Sequence, residues 1–304
     1  MLFFCYGFSE FLIFTREKRN LDLDSKGNFI TIKPKNELVA KYVDYYYFHV
    51  SDDADFSKKF FFYPNYKHAV TIYKGSDVSL TDEGSLVVPS TVHKILSFYS
   101  INTDANFKVE LHGIFDKIGI VFNPLGLNHF IKEPLGTFFD RSINKLDCFG
   151  ASFTNALEEI YSESTIETKA ALLDTFFAAN FIGFDELIVK KAIQEILNSN
   201  GSVKVEELSE SLGVNRKTLL RLFKKHLCCS VEEYKKMVMF RNALNYSQQL
   251  GDDATLTDVA LYSLYYDQAH YIKHFKSVTH QSPKTLLSKL TKLGSQEIYW
   301  HFED

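Results

Sequence analysis

Asp267-Gln268-Ala269-His270-Tyr271-Ile272-Lys273-His274-Phe275-Lys276, followed by Ser282-Pro283, is the stretch on which the reading of this chain turns. Asp267 suits a helix N-cap, because its carboxylate accepts from backbone amides that have no partner within the helix. Tyr271 and Phe275 are four apart and share one face, while Gln268, Ala269, His270, Ile272 and Lys273 look outward. Immediately upstream, Leu256-Thr257-Asp258-Val259-Ala260 reads as a shorter helix. The unit is therefore helix, turn, helix.

The same layout occurs earlier in the chain. Leu208-Ser209, Val214-Asn215, Leu219, Phe223-Lys224 and Ser230 fall onto Val259-Ala260, Tyr265 with Asp267, Tyr271, Phe275-Lys276 and Ser282, an offset of 51 to 52 residues. In this first copy Val205, Leu208 and Leu212 form an apolar stripe, Gly213 takes the left-handed turn and Asn215 caps the next helix. That helix buries Leu219, Leu222 and Phe223 and turns Arg216, Lys217, Leu220, Arg221, Lys224 and Lys225 outward. One such copy describes two packed helices in many enzymes. Two copies at matched spacing, each with a cationic or amide-bearing second helix, point to double-stranded DNA.

The residue chemistry assigns roles on that face. Arg216, Lys217 and Arg221 suit guanine O6 and N7, Gln268 suits adenine, and Ala269 and Ile272 suit a thymine methyl, with Leu220, His270 and Lys273 alongside. Lys224, Lys225 and Lys276, later in each helix, suit phosphates. From Asp185 to Lys292 the chain has 16 Lys+Arg against 12 Asp+Glu, although its formal net charge is −4.

The remainder reads differently. At 304 residues, two domains are expected. From about Ile30 to Phe139 short runs such as Tyr45-Tyr46-Tyr47-Phe48-His49-Val50, His68-Ala69-Val70-Thr71-Ile72-Tyr73 and Lys117-Ile118-Gly119-Ile120-Val121-Phe122 are strands, with turns at Lys74-Gly75-Ser76 and Asp82-Glu83-Gly84. A β-sandwich or a small barrel fits. Past Asp140, Phe153, Ala156, Leu157, Ile160 and Tyr161, then Ala171, Leu172, Phe176 and Phe177, recur at helical spacing. Past Gly183 the chain reads as helix almost throughout.

Composition excludes several classes. The four cysteines, Cys5, Cys148, Cys228 and Cys229, form neither a disulfide framework nor a zinc pattern, so a reducing cytoplasmic compartment is expected. The apolar start ends by Phe14, too short to span a membrane, and no basic stretch precedes it. His49, His68, His93, His112 and His129 include no His-x-His pair, so no metal is expected. There is no Gly-x-Ser-x-Gly elbow and no glycine-rich phosphate loop, so neither an enzyme nor a cofactor is expected. The aromatic runs Tyr45 to Phe48 and Phe60 to Tyr63 read as core, with a ligand pocket as the alternative.

Over roughly Glu186 to Lys289 the sequence resembles the AraC/XylS family of transcription regulators. The Asp267–Lys276 stretch with Ser282-Pro283 carries the resemblance, supported by Leu219, Arg221, Phe223-Lys224, Tyr234 and Ala243. It implies two recognition helices held by a long connecting helix in successive major grooves, ~34 Å apart. The resemblance puts Lys217, Leu220 and Arg221, and Gln268, Ala269, Ile272 and Lys273, against bases. Lys33-Pro34, Tyr45 to Phe48 and Gly119 to Gly126 are similar to a sensory domain of such regulators, which implies a cupin-like antiparallel barrel that binds a small effector or dimerises.

The expected architecture is thus α+β. Residues 1–29 form an extension, 30–140 a β-rich sensory part and 141–184 a helical connector; 185–290 form the two-unit DNA-binding part and 291–304 a tail. Expected partners are promoter DNA, a small effector, RNA polymerase and a second copy of the chain. Two alternatives come from other classes. AraC-type modules also occur fused to DNA-repair alkyltransferases, for which the cysteines here are too few and badly placed. The other is an interaction protein whose helix-turn-helix units no longer bind DNA. It is motivated by Cys228, Leu264 and His280 where the family has glycine. Ser209 for a small alanine and Met239 for an arginine are further departures. A leucine in a left-handed turn costs ~1–2 kcal/mol, so either that turn is reshaped or the domain is less stable.

Overall fold

A computed structural model describes residues 28–81, 84–92, 94–101, 106–139, 143–250, 255–288, 290–293 and 298–303. The expected extension up to residue 27, the turn residues Asp82 and Glu83, His93 and the break at Gly251-Asp252-Asp253 lie outside these. Two six-stranded sheets form the β-rich part. The first runs β1 (Asn28–Ile32), β2 (Val43–Ser51), β9 (Phe115–Phe122), β4 (His68–Lys74), β7 (Ile95–Ser100) and β10 (Ile143–Lys145). The second runs β11 (Leu290–Leu293), β12 (Ile298–Glu303), β3 (Ser57–Phe62), β8 (Phe107–His112), β6 (Gly84–Pro89) and β5 (Ser76–Leu80).

The expected barrel is not closed: no described ladder joins the two sheets, so the arrangement is a sandwich. It is also not wholly antiparallel, since β6 pairs with β8 in parallel. The expected tail differs as well. Its strand β12 pairs antiparallel with β3, setting His301 opposite Phe61 and Phe302 opposite Phe60. The run Ile298-Tyr299-Trp300-His301-Phe302 is rich in β-branched and aromatic residues, and the open edge of β3 supplies its partner.

Strand alternation divides the aromatic residues between two cores. Tyr46 and Phe48 of β2, Val70 and Ile72 of β4, and Ile118, Ile120 and Phe122 of β9 face outward from the first sheet. Helices α2 (Gly150–Ser162) and α3 (Ile166–Ala179) cover that face with Phe153, Leu157, Ile160, Leu173, Phe176 and Phe177. Asp174 of α3, buried there, accepts from Tyr46 Oη at 2.8 Å and from the amides of Lys35 and Asn36 at 2.8 and 2.9 Å. Three donors compensate the burial of a carboxylate.

The alternate residues, Tyr45, Tyr47, Phe60, Tyr73, Phe98, Phe107 and Val121, meet between the sheets. Gly119 opposes Tyr47 across β2 and β9, and an added Cβ would lie 1.8 Å from Tyr47 Cε1. The missing side chain lets the Tyr47 ring lie across β9.

After the four-residue helix α1 (Leu135–Phe138) and the covering pair, the chain is helical from α4 (Leu187–Asn198) through α5 (Val205–Ser211), α6 (Arg216–Leu227), α7 (Val231–Leu250), α8 (Leu256–Tyr262), α9 (Gln268–Thr279) and α10 (Pro283–Leu287). Helix α7 belongs to two cores. Its first half places Tyr234, Met237 and Val238 against Leu208, Leu219, Leu222 and Phe223, and its second half places Phe240, Ala243 and Leu244 against Val259, Tyr271 and Phe275.

Candidate nucleic-acid interface

Local capping builds both units. Asn215 Oδ1 accepts from the Thr218 amide at 2.8 Å, and Asp267 Oδ1 accepts from the His270 amide at 2.7 Å, so both second helices begin where capping chemistry places them. Ser230 and Glu233 start α7 with a reciprocal pair: the Glu233 amide donates to Ser230 Oγ at 3.2 Å and the Ser230 amide to Glu233 Oε2 at 2.5 Å.

The turns within the units share a backbone but not a residue type. In the first, the Gly213 amide donates to Glu210 O and the Val214 amide to Ser209 O, both at 3.0 Å, with φ +66° at Gly213. In the second, the Leu264 amide donates to Leu261 O at 3.2 Å and the Tyr265 amide to Ala260 O at 2.9 Å, with φ 59° at Leu264. Both are Schellman motifs, in which the left-handed residue is normally glycine. The second turn is therefore not reshaped, and Leu264 occupies the glycine conformation. Cys228 and His280, ending α6 and α9, are also left-handed, at φ 59° and 56°.

The repeat offset changes from 51 to 52 because the second turn holds one more residue before its cap. That residue is Tyr266, which is 91% exposed. Val214 and Tyr265 occupy the matching inward positions.

The outward residues expected from the sequence stand as follows. Arg216, Lys217, Leu220, Arg221, Lys224 and Lys225 of α6 are exposed, as are Gln268, Ala269, His270, Lys273 and Lys276 on α9. Ile272 is half-buried and packs against the core under α9. Leu219, Leu222, Phe223, Tyr271 and Phe275 are buried on the opposite faces. The first residue of each of these helices is tethered to the helix before it. Arg216 is ion-paired with Glu206, and Gln268 Oε1 accepts from Thr257 Oγ1 at 3.1 Å. Lys224 Nζ lies 3.4 Å from Glu233 Oε2.

The helical part also rests on the sandwich. Asn128 Nδ2 donates to His226 O at 3.1 Å, and a Cβ on Gly136 of α1 would come within 2.8 Å of Lys224 O, so only glycine allows this approach. Arg241 of α7 reaches across to donate to Pro64 O at 2.6 Å and Tyr63 O at 2.5 Å.

Between the sheets, Tyr45, Tyr47, Phe60, Phe62 and Tyr63 line a cavity together with Lys117 and Arg241. The two aromatic runs thus divide, with Tyr46 and Phe48 in the outer core and their neighbours on the cavity wall. Neither Lys117 nor Arg241 was identified from sequence. The available signal for Lys117 was a lysine in an apolar strand run, at the same parity as Phe115, Gly119 and Val121.

The histidines of the sandwich serve other ends. His49 and His68 are buried, and desolvation holds them down to about 3 and about 4, so both are neutral. His68 Nδ1 lies 2.5 Å from Tyr99 Oη. Among the described residues no group of three His, Cys, Asp or Glu could hold a metal ion, and no helix is long and apolar enough to cross a membrane. Burial pushes the Cys148 and Cys228 thiols up to about 12, which leaves no reactive thiolate there.

Residues 208–289 match the model of a helix-turn-helix domain family. No curated protein matches the chain by sequence. Among solved structures the chain is similar to ToxT from Vibrio cholerae, at 13% identity, 86% of this chain, 97% of that chain and TM-score 0.42. It is also similar to unsaturated fatty acid-bound ToxT from V. cholerae strain SCE256, at 14% identity, 90% and 98% coverage and TM-score 0.45. The C-terminal domain of AraT, a response regulator from Geobacillus stearothermophilus, is similar at 24% identity, 32% and 81% coverage and TM-score 0.30.

Proposed function

We propose that this chain is a DNA-binding transcription regulator, that its helix-turn-helix domain at residues 208–289 is of the AraC type, and that it reads its promoter with both α6 and α9. The observation that carries the reading is the pairing of two capped helices on one helix α7, each with its apolar face buried and its cationic or amide face open. Lys217, Leu220 and Arg221 read one block of bases and Gln268, Ala269, His270 and Lys273 a second, about one helical turn away. Ile272, half-buried, adds only its outer methyl surface. Lys224, Lys225 and Lys276 hold phosphates, and Arg216 joins the base-reading set once Glu206 releases it. In this reading Tyr266, exposed beside the start of α9, contacts the DNA backbone.

In this reading residues 30–140 sense an effector, 141–184 connect and 185–290 bind DNA, with a second copy of the chain and RNA polymerase as further partners. Arg241 supports the coupling: it lies on the helix joining the two units, lines the cavity and bonds the backbone at Tyr63 and Pro64. A ligand with different affinity for two placements of Arg241 shifts α7 and hence DNA occupancy.

The test is selection of bound sequences from a random DNA pool by the full chain at two salt concentrations. The expected result is a motif of two blocks about one turn apart, whose affinity falls with salt. Salt-sensitive binding without any recovered motif would overturn base reading by these helices. No binding by folded protein, with or without the trapped ligand described below, would favour an interaction module.

A further inference from the structure

The cavity between the sheets measures about 130 Å3, close to the engineered apolar cavity of about 150 Å3 that takes up benzene. It accommodates one ring or a short chain. Among the described residues lining it there is no aspartate or glutamate. Of its cationic residues, Lys67 is ion-paired with Asp44 at 2.7 Å and Arg241 bonds the carbonyls of Tyr63 and Pro64.

Lys117 lies among the aromatic rings of the cavity. The register of β9 directs it between the sheets, where it is 3% exposed. Its Nζ lies 5.4, 5.5 and 5.5 Å from the ring centroids of Tyr47, Phe60 and Tyr73, all of which line the cavity. The hydroxyls of Tyr47 and Thr71, 3.3 Å apart, face the same space.

We propose that Lys117 captures a small apolar or aromatic aldehyde in this cavity, holding it covalently as an imine. The proposal deepens the reading of the cavity as an effector site and rests on it. Desolvation pushes the Lys117 ammonium down to about 7, so near neutrality much of the amine is unprotonated and nucleophilic. The nitrogen lone pair attacks the carbonyl carbon, a C–N bond forms and the carbonyl oxygen takes a proton. The carbinolamine then loses that oxygen as water, with the second amine proton, to leave C=N. The aromatic walls hold the ring or chain of the aldehyde. Every atom is supplied by the aldehyde and the amine, and water is the only product released.

Benzaldehyde is the probe. The full chain is incubated with it and with cyanoborohydride, whose hydride reduces the imine to a stable benzylamine, and the modified lysines are mapped by mass spectrometry. Lys117 is expected to be benzylated roughly tenfold or more ahead of surface lysines, since its amine is the more nucleophilic near neutrality. Lys117→Met abolishes that adduct, and Lys67→Met retains it. The wild-type map decides the matter even if the Lys117 variant fails to fold. Labelling spread evenly over surface lysines would overturn the proposal. So would a melting-temperature shift given by benzoate and not by benzaldehyde, which would make the cavity an anion receptor. DNA affinity of the trapped protein separates the two readings: an adduct at Lys117 with unchanged DNA affinity retains the imine and removes its effector role.

Discussion

Three residues that end helices in left-handed backbone differ in what their side chains contribute, and this makes the cost of the missing glycines measurable. His280 ends α9 at φ 56°, its amide donates to Lys276 O at 2.9 Å, and its side chain is exposed. His280→Gly keeps that hydrogen bond and removes a left-handed penalty of ~1–2 kcal/mol. Glycine gives back about 0.5–1 kcal/mol through its freer unfolded chain. With no burial lost, the net expectation is a gain of ~0.5–1 kcal/mol. Leu264 is 49% exposed, so Leu264→Gly also forfeits about half of the ~1.5–3 kcal/mol that a fully buried leucine contributes, and comes out near neutral. Cys228 packs against the core under α2 and α3, and Cys228→Gly is expected to destabilise. The assay is urea unfolding of the full chain followed by helical circular dichroism, with His280→Ala as the control that stays left-handed. If His280→Ala stabilised as much as His280→Gly, or if Leu264→Gly gave the largest gain of the three, left-handed strain would not be what these positions cost.

The remaining expectations concern DNA and pH. Arg221→Ala and Gln268→Ala should each cost ~1–3 kcal/mol on the selected site and relax preference at one base pair, whereas Lys225→Ala should weaken all sequences alike and lower the salt slope by about 1. Equal losses on selected and random DNA for all three variants would remove the assignment of base readers. Glu206→Gln releases Arg216 from an exposed ion pair of ~0.2–1 kcal/mol, so binding titrations should show DNA affinity rising up to roughly fivefold; a loss of affinity would show that the pair positions Arg216 for DNA. His49 and His68 are neutral when folded and take up protons once unfolded below about pH 6.5. Unfolding therefore binds protons between that value and about 4, and stability falls as pH falls across this window, by up to ~2.7 kcal/mol per pH unit for two sites. Urea midpoints that stay flat over that range would refute the buried neutral state of these histidines.

The two helix-turn-helix units were legible in the sequence because their signals are local. Asn215 and Asp267 bond amides three residues on, Gly213 takes its own turn, and Tyr271 and Phe275 share a face by helical period alone. Even the step from 51 to 52 residues in the repeat carried structural content, as the insertion of Tyr266. The β part was legible as strands but not as an arrangement. Strand type follows from alternation, whereas the side each parity faces, the parallel pairing of β6 with β8 and the docking of β12 on β3 depend on surfaces distant in the chain. The expected barrel gave way to a sandwich for that reason, and the expected tail became two strands.

The cavity belongs to the same category. Tyr47 and Thr71 are separated by 24 residues and Arg241 lies 177 residues from Pro64, yet they line or border one space. Sequence by itself determined that the chain carries two capped helices with cationic and amide faces, because hydrogen bonds within a few residues specify them. Only the tertiary structure decided that Lys117 sits among aromatic rings and that Arg241 ties α7 to the sandwich, because burial and register across distant strands set where an inward-facing side chain lies.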